Sequence, residues 1–347
     1  MTLSFLIYKI ILVLVVFAIT LLIATYSTYA ERKVAAFLQD RVGPDRAGPF
    51  GLLQPLADAV KMFMKEEMIP SVSNKALFII GPGVCMLTAC MTGVVIPWGS
   101  SLTIDGTNYP LQITDVNIGI LYLFGVISLG VYGIMIGGWA SNNKFSLLGA
   151  IRASSQMISY EVAMGLSIIA LVMTTGTLRL GEIAAQQHGW HWNILVQPLG
   201  CLIFIICAFA ETNRAPFDLP ECETELVGGY HTEDSSMKLG FFLFAEYINM
   251  FISSAVIATF YFGGYNMPLI GRFVHDQNLL AILGVVFMFA KIFFFIFFFM
   301  WVRWTIPRFR YDQLMNLGWK ILIPLSLLNI AITGAVMMRN EIMMFFK

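Results

Sequence analysis

Long apolar runs separated by shorter polar ones dominate the chain. A run of about 20 mostly apolar residues is what an α-helix needs to cross a bilayer. Eight runs qualify, centred on 10–26, 76–98, 118–140, 158–174, 192–210, 239–263, 279–302 and 321–338. The fifth carries Pro198 and the last is short. A different period occurs at 52–64, where Leu53, Leu56, Ala57, Val60 and Met64 recur at helical spacing while Asp58, Lys61 and Lys65 share the other side. That predicts a short amphipathic helix suited to the membrane interface. The pattern as a whole predicts an all-α polytopic membrane bundle of about eight transmembrane helices, a single integral membrane domain over 1–347.

Composition agrees. Hydrophobic residues make up 58% of the 347 and charged residues only 12%, about half the share of a soluble domain. Lys+Arg and Asp+Glu are equal at 21 each, so no basic surface is available for nucleic acid.

The placement of the basic residues predicts the orientation. Arg32, Lys33, Arg41, Arg46, Lys61, Lys65 and Lys75 lie between the first two runs, Lys144 and Arg152 after the third, Arg214 and Lys238 after the fifth, and Arg303, Arg308, Arg310 and Lys320 after the seventh. The opposite loops hold only Arg179 and Arg272. By the positive-inside rule the odd loops are cytoplasmic and both termini lie outside. The first run has only Lys9 in place of a basic leader, and reads as an uncleaved helix. The external loops look like plain connectors. Two cytoplasmic segments, 31–75 and 211–238, mix charge with aromatic, Gly and Pro residues, and ordered structure is expected there.

Cys85, Cys90, Cys201, Cys207 and Cys222 show no CxxC spacing, which excludes local zinc or iron–sulfur signatures and reads as free thiols. The acids are more informative. Glu161 and Glu246 sit inside apolar runs, where a charge costs about 2.5–3.5 kcal/mol on insertion scales and usually marks an ion pathway. Arg152, Gln156 and Tyr160 precede Glu161 at helical spacing. Lys291 in the seventh run reads as a counter-ion. Glu211, Asp218, Glu221, Glu223 and Glu225 crowd around the single Arg214, and Pro216 and Pro220 prevent one continuous helix. A helix would splay the last three acids and an extended strand would align them. Carboxylates crowded in a dry place share protons collectively. Glu233 and Asp234 read equally as a solvated acidic pair.

The strings AERKVAAFLQDRVGP, GLLQPLADAVKMFMKE, AETNRAPFDLPECETELVGGY, FFLFAEY and RWTIPRFRYDQLMNLGWK, spread over 30–320, closely resemble a membrane subunit of respiratory complex I, the one called H in bacteria and 1 in mitochondria. The resemblance implies a proton-translocating NADH:quinone oxidoreductase component at the junction of the membrane and peripheral arms. It implies a chamber admitting quinone from the bilayer, with Arg32, Arg41, Asp58, Lys61, Arg303 and Arg308 around it. It also implies an acidic chain of Glu161, Glu211, Asp218, Glu221, Glu223, Glu225 and Glu246 that couples quinone reduction to proton translocation. No metal or catalytic residue is implied on this chain. FMN and iron–sulfur clusters belong to partner subunits, the partners being peripheral-arm quinone-site subunits and adjacent membrane-arm subunits. The similarity leans towards a bacterial inner membrane rather than a mitochondrial one. Cys222, Asp234 and Ser236 depart from the usual pattern, which has a small residue, Tyr and Gly. The competing classes are a membrane-bound hydrogenase-type complex with a homologous subunit, and a free-standing proton-coupled transporter.

Overall fold

The computed structural model describes residues 3–104, 106–219, 223–268 and 276–345. Glu221, Cys222, Arg272 and Lys347 lie outside them. The described chain is overwhelmingly helical. Helices α1 (Leu3–Leu38), α2 (Gln54–Met64), α3 (Lys75–Thr92), α4 (Gly119–Ala140) and α5 (Lys144–Thr175) form the first half. A two-stranded hairpin, β1 (Ser101–Ile104) and β2 (Thr107–Pro110), separates α3 from α4. The short α6 (Leu180–Gln186) and α7 (Asn193–Val196) lead into α8 (Pro198–Glu211) and the single turn α9 (Glu223–Leu226). Then come α10 (Ser236–Tyr261), α11 (Gln277–Thr305), α12 (Tyr311–Asn316), a π-helical stretch (Leu317–Leu322) and α13 (Ile323–Phe345).

Among the described residues, seven helical segments are long and apolar enough to cross a membrane, and α8 is a shorter apolar one. The fifth expected run is therefore shorter than the others. Pro198 has no N–H to donate, so it starts a helix rather than continuing one. That leaves the 14 residues of α8, about 21 Å of rise against an apolar thickness of about 30 Å. A second difference concerns α1. Its helix runs through Glu31, Arg32 and Lys33 to Leu38, so these charges belong to the helix and do not open a loop. The connector at 99–115, expected from sequence to be plain, is more than that. Its hairpin is pinned by the Asn278 side chain, which accepts from the Thr103 amide (2.8 Å) and donates to the Thr103 carbonyl (2.9 Å).

The core lies where α5, α8 and α10 meet. Residues including Ala163, Ile168, Ile203, Cys207, Ile248 and Phe251 are fully or almost fully buried there. The lipid-facing sides of α1, α11 and α13 expose Leu14, Phe294 and Leu328. Small residues let helices approach closely. A Cβ on Gly81 of α3 would stand 2.8 Å from the Gly137 Cα on α4. Helix α5 is capped at its start by Asn143, whose side chain accepts from the Phe145 amide (2.9 Å). It ends at Gly176 in the left-handed region (φ 69°). The π-helical stretch packs Gly318 against the Tyr160 ring and sends the Trp319 Nε1–H to the Ser159 hydroxyl (3.1 Å). Among the described residues Lys291 pairs with no acid. Its ammonium donates to the backbone carbonyls of Phe262 (2.6 Å), Gly264 (2.7 Å) and Asn266 (3.2 Å), and so acts as an anchor for the loop after α10.

Candidate functional site

The amphipathic α2 lies beside α1 and α10, and between them and α11 is a cavity of about 270 Å³. Pro55, Ala59, Met62, Leu243, Phe244 and Trp304 give it apolar walls, while Glu31, Arg32, Asp58, Tyr247 and Arg303 face it with polar groups. Arg32 pairs with Asp58 at 2.8 Å and so ties α1 to α2. The pair is about half-exposed and contributes little by itself. Its position matters more, because it sets the cavity's polar rim.

The inner wall is a buried ionic cluster. Glu31, 5% exposed, accepts from Arg214 Nη1 (2.8 Å) and from the Tyr247 hydroxyl (2.8 Å) at Oε2, and from Arg303 at Oε1. The Arg214 guanidinium stacks 4.1 Å from the centroid of the Tyr247 ring. Burial works against the Arg214 charge, but Glu31 and Tyr247 outweigh it and lift the guanidinium above its already high ordinary value. Arg214 therefore stays a cation at every physiological pH.

Behind this wall lies a smaller enclosed space of about 30 Å³, lined by Glu211, Glu246, Tyr230, Asn213 and Asn249 among others. A buried water needs about 10–15 Å³, so one or two fit. Glu246 accepts from the Tyr230 hydroxyl (2.9 Å). Glu211 is 4% exposed, and its Oε2 has no hydrogen-bond partner among the described residues. Glu161, within electrostatic reach of Glu211, accepts from the Ser128 hydroxyl at 3.1 Å on both oxygens. The polar stripe before Glu161 serves position. Gln156 donates to the carbonyls of Ala210 (2.9 Å) and Phe217 (2.8 Å), and Tyr160 donates to that of Leu314 (3.0 Å). Gln156 thus holds the turn after α8 against α5, and that turn carries Arg214.

One geometric fact joins the two spaces. Tyr247 and Glu246 are consecutive on α10, and consecutive helical residues point about 100° apart. Tyr247 faces the larger cavity and Glu246 the smaller. Helix α10 is therefore the partition between the two spaces.

Of the six expected chamber residues, Arg32, Asp58 and Arg303 line the larger cavity. Arg41 and Lys61 are exposed and do not. Arg308 instead pairs with the buried Asp218 at 2.7 Å. Of the expected relay acids, Glu211 and Glu246 line the smaller space, and Glu161 stands beside it within electrostatic reach of Glu211. Glu225 is a solvent-facing partner of Arg152 (2.6 Å). Glu223 opens the helical turn α9, and Glu221 lies outside the described residues. Sequence reasoning missed Glu31, Arg214 and Tyr247 as one unit. The available signal was an Arg isolated among acids, which in a dry setting requires a buried anion.

The family model described as NADH dehydrogenase matches residues 10–334. The NADH-quinone oxidoreductase H subunit 1 of Cytophaga hutchinsonii is 72% identical over 332 residues, covering 96% of this chain and 97% of its own. The NADH-quinone oxidoreductase H subunit of Flavobacterium johnsoniae is 64% identical over 341 residues, covering 98% and 97%. The H subunit 1 of Geobacter metallireducens is 47% identical over 323 residues, covering 93% and 94%.

Proposed function

This chain belongs to the family of NADH-quinone oxidoreductase H subunits, and we propose that it forms the quinone-access chamber of a proton-pumping complex and converts quinone reduction into proton movement through its buried acids. The observation that carries the reading is the partition by α10. The Glu31–Arg214–Arg303–Tyr247 cluster borders a cavity of amphiphile size, and Glu246 and Glu211 stand directly behind it.

Apolar walls and a charged rim suit a molecule with a long apolar tail and a polar head. The chain provides α2 as the interfacial lip, Arg32–Asp58 as the rim, and the ionic cluster as the inner wall. FMN and iron–sulfur clusters in partner subunits would deliver the electrons, and peripheral-arm subunits would complete the head-group site. In a dry space a new unit charge about 10 Å from an acid is worth about 1.7 kcal/mol at an effective dielectric of 20, more than one pKa unit. Negative charge arising in the chamber therefore draws protons onto Glu246, Glu211 and Glu161, and its neutralisation releases them towards adjacent membrane-arm subunits. The chain lies in the bacterial inner membrane as one integral domain with both termini outside, and the segments 31–75 and 211–238 face the partner subunits. The hydrogenase-type and free-standing transporter readings draw no observation of their own.

The test uses the assembled complex in membrane vesicles carrying Glu161→Gln or Glu211→Gln. Proton pumping is expected to fall while NADH oxidation by an artificial acceptor, which bypasses the chamber, persists. Full coupled pumping in both variants would remove the relay.

A further inference from the structure

Helix α2 is loosely packed for an element that walls a cavity. Of its eleven residues only Pro55 is buried, while Leu56, Val60, Phe63 and Met64 are exposed. A short helix is held in place chiefly by tertiary packing, and with so little of it the polar ties of α2 decide where it sits. The half-exposed Arg32–Asp58 pair is one such tie, and a weak one. The others gather at the end of α2, where residues 62–68 meet the start of α10.

Two serines make that junction. Ser235 holds the N-cap position of α10, where a serine hydroxyl ordinarily accepts from an amide of its own first turn. Here it makes no such bond. Its hydroxyl accepts from the Met68 amide (2.9 Å) and donates to the Met68 carbonyl (3.3 Å). Ser236 follows with φ 55°, in the left-handed region that favours glycine. Its hydroxyl donates to the Met62 carbonyl at 3.0 Å. That carbonyl is one of the last four of α2, which have no partner within their own helix. The buried Lys238 completes the junction, pairing with Glu67 at 2.7 Å and lying over the Phe78 ring of α3 at 4.9 Å. Helix α10 therefore starts without its cap and with a strained residue, and both departures supply hydrogen bonds to the α2 side. Strain of this kind persists where the surroundings over-determine it, and it clusters at functional sites.

The junction stands at the edge of the larger cavity. Met62 lines that cavity with Pro55, Asp58 and Ala59 of α2, and Gly240, Leu243 and Phe244 line it from α10. Gly240 lies one turn after Ser236, on the same side of α10. Ser236 thus ties one wall of the cavity to the other. We propose that Ser235 and Ser236 are positioning residues that latch α2 to α10 and so set the width of the chamber mouth, on which binding of a long-tailed quinone depends.

This inference rests on the chamber reading above, and the experiment separates the two. NADH:quinone reductase kinetics are measured on the assembled complex with a long-tailed and a short-tailed quinone. The thermal midpoint and NADH oxidation by an artificial acceptor are recorded alongside. The variants are Ser236→Gly, Ser235→Ala, Ser235→Thr and Met62→Trp, the last of which fills the cavity directly. Ser236→Gly and Ser235→Ala are expected to raise the KM for the long-tailed quinone several-fold and that for the short-tailed one less, with kcat and acceptor reduction little changed. Ser235→Thr keeps the hydroxyl on extended backbone and should restore the wild-type KM. Ser236→Gly relieves the backbone and should not lower the midpoint, so its raised KM separates positioning from mere stability. Unchanged KM in both serine variants, with a raised KM in Met62→Trp, overturns the latch and leaves the chamber standing. Unchanged KM in all three overturns the chamber reading and this proposal with it. Should Ser235→Ala fail to assemble, Ser236→Gly decides, because glycine adopts φ 55° without strain. A wild-type KM there overturns the latch.

Discussion

Removing Arg214 tests the ionic wall most directly. Both partners of the Arg214–Glu31 pair are buried, with side chains 5% and 7% exposed. In Arg214→Met the Glu31 carboxylate keeps Arg303 and the Tyr247 hydroxyl but loses its most buried counter-ion, and Tyr247 loses the cation stacked at 4.1 Å. Leaving a buried charge uncompensated costs about 3–5 kcal/mol. The remaining partners place the expected loss near the lower end, about 3 kcal/mol. Glu31→Gln strands Arg214 instead and is expected to cost a similar amount. In the double variant Arg303 alone is left without its anion, and its side chain, 26% exposed, reaches water. The double variant should therefore be no worse than the worse single one. The assay is the thermal inactivation midpoint of the purified complex for all four members of the cycle, with the quinone KM measured alongside. Strictly additive losses, a coupling below about 0.5 kcal/mol as for exposed pairs, would refute the claim that the wall acts as one buried unit.

Three further outcomes follow from the packing. Gly81→Ala should lower the thermal midpoint by the equivalent of about 1–3 kcal/mol of overpacking, because its Cβ meets the Gly137 backbone at 2.8 Å, whereas Gly83→Ala, with nothing within 4 Å, should be neutral or mildly stabilising. Gln156→Leu leaves the Ala210 and Phe217 carbonyls without their donor, at about 1–3 kcal/mol each; hydrogen exchange over 212–219 should accelerate, and unchanged protection would contradict the clamp. Lys291→Met should reduce thermal stability while leaving pumping per assembled complex intact, and a pumping defect at unchanged stability would show that Lys291 is more than an anchor of the 262–266 loop.

Much of this was legible in the chain itself. The apolar runs located the spanning helices, and the period at 52–64 located α2, because both depend on local spacing against a fixed solvent. Glu161 and Glu246 stood out because lipid offers a carboxylate no water. Reading failed where local pattern and helix continuity diverge. The triplet Glu31-Arg32-Lys33 looks like a helix end, yet Ala35 and Ala36 are buried, Val34 packs against the core, and α1 runs on to Leu38. The acids after Pro220 could be read as helix or as extended row, and only the structure shows a helical turn at Glu223–Leu226 with Glu225 paired to Arg152.

Sequence alone determined that this is a polytopic membrane protein, where its helices run, which acids must lie away from lipid, and the family to which it belongs. Solvent, period and charge cost act residue by residue and need no knowledge of neighbours. Tertiary structure alone decided which charges meet. Glu31 and Arg214 are 183 positions apart, and no local pattern specifies that pairing. It also decided that adjacent residues Glu246 and Tyr247 serve two different cavities, because which side of α10 faces which space depends on how α1, α2, α3 and α11 pack around it.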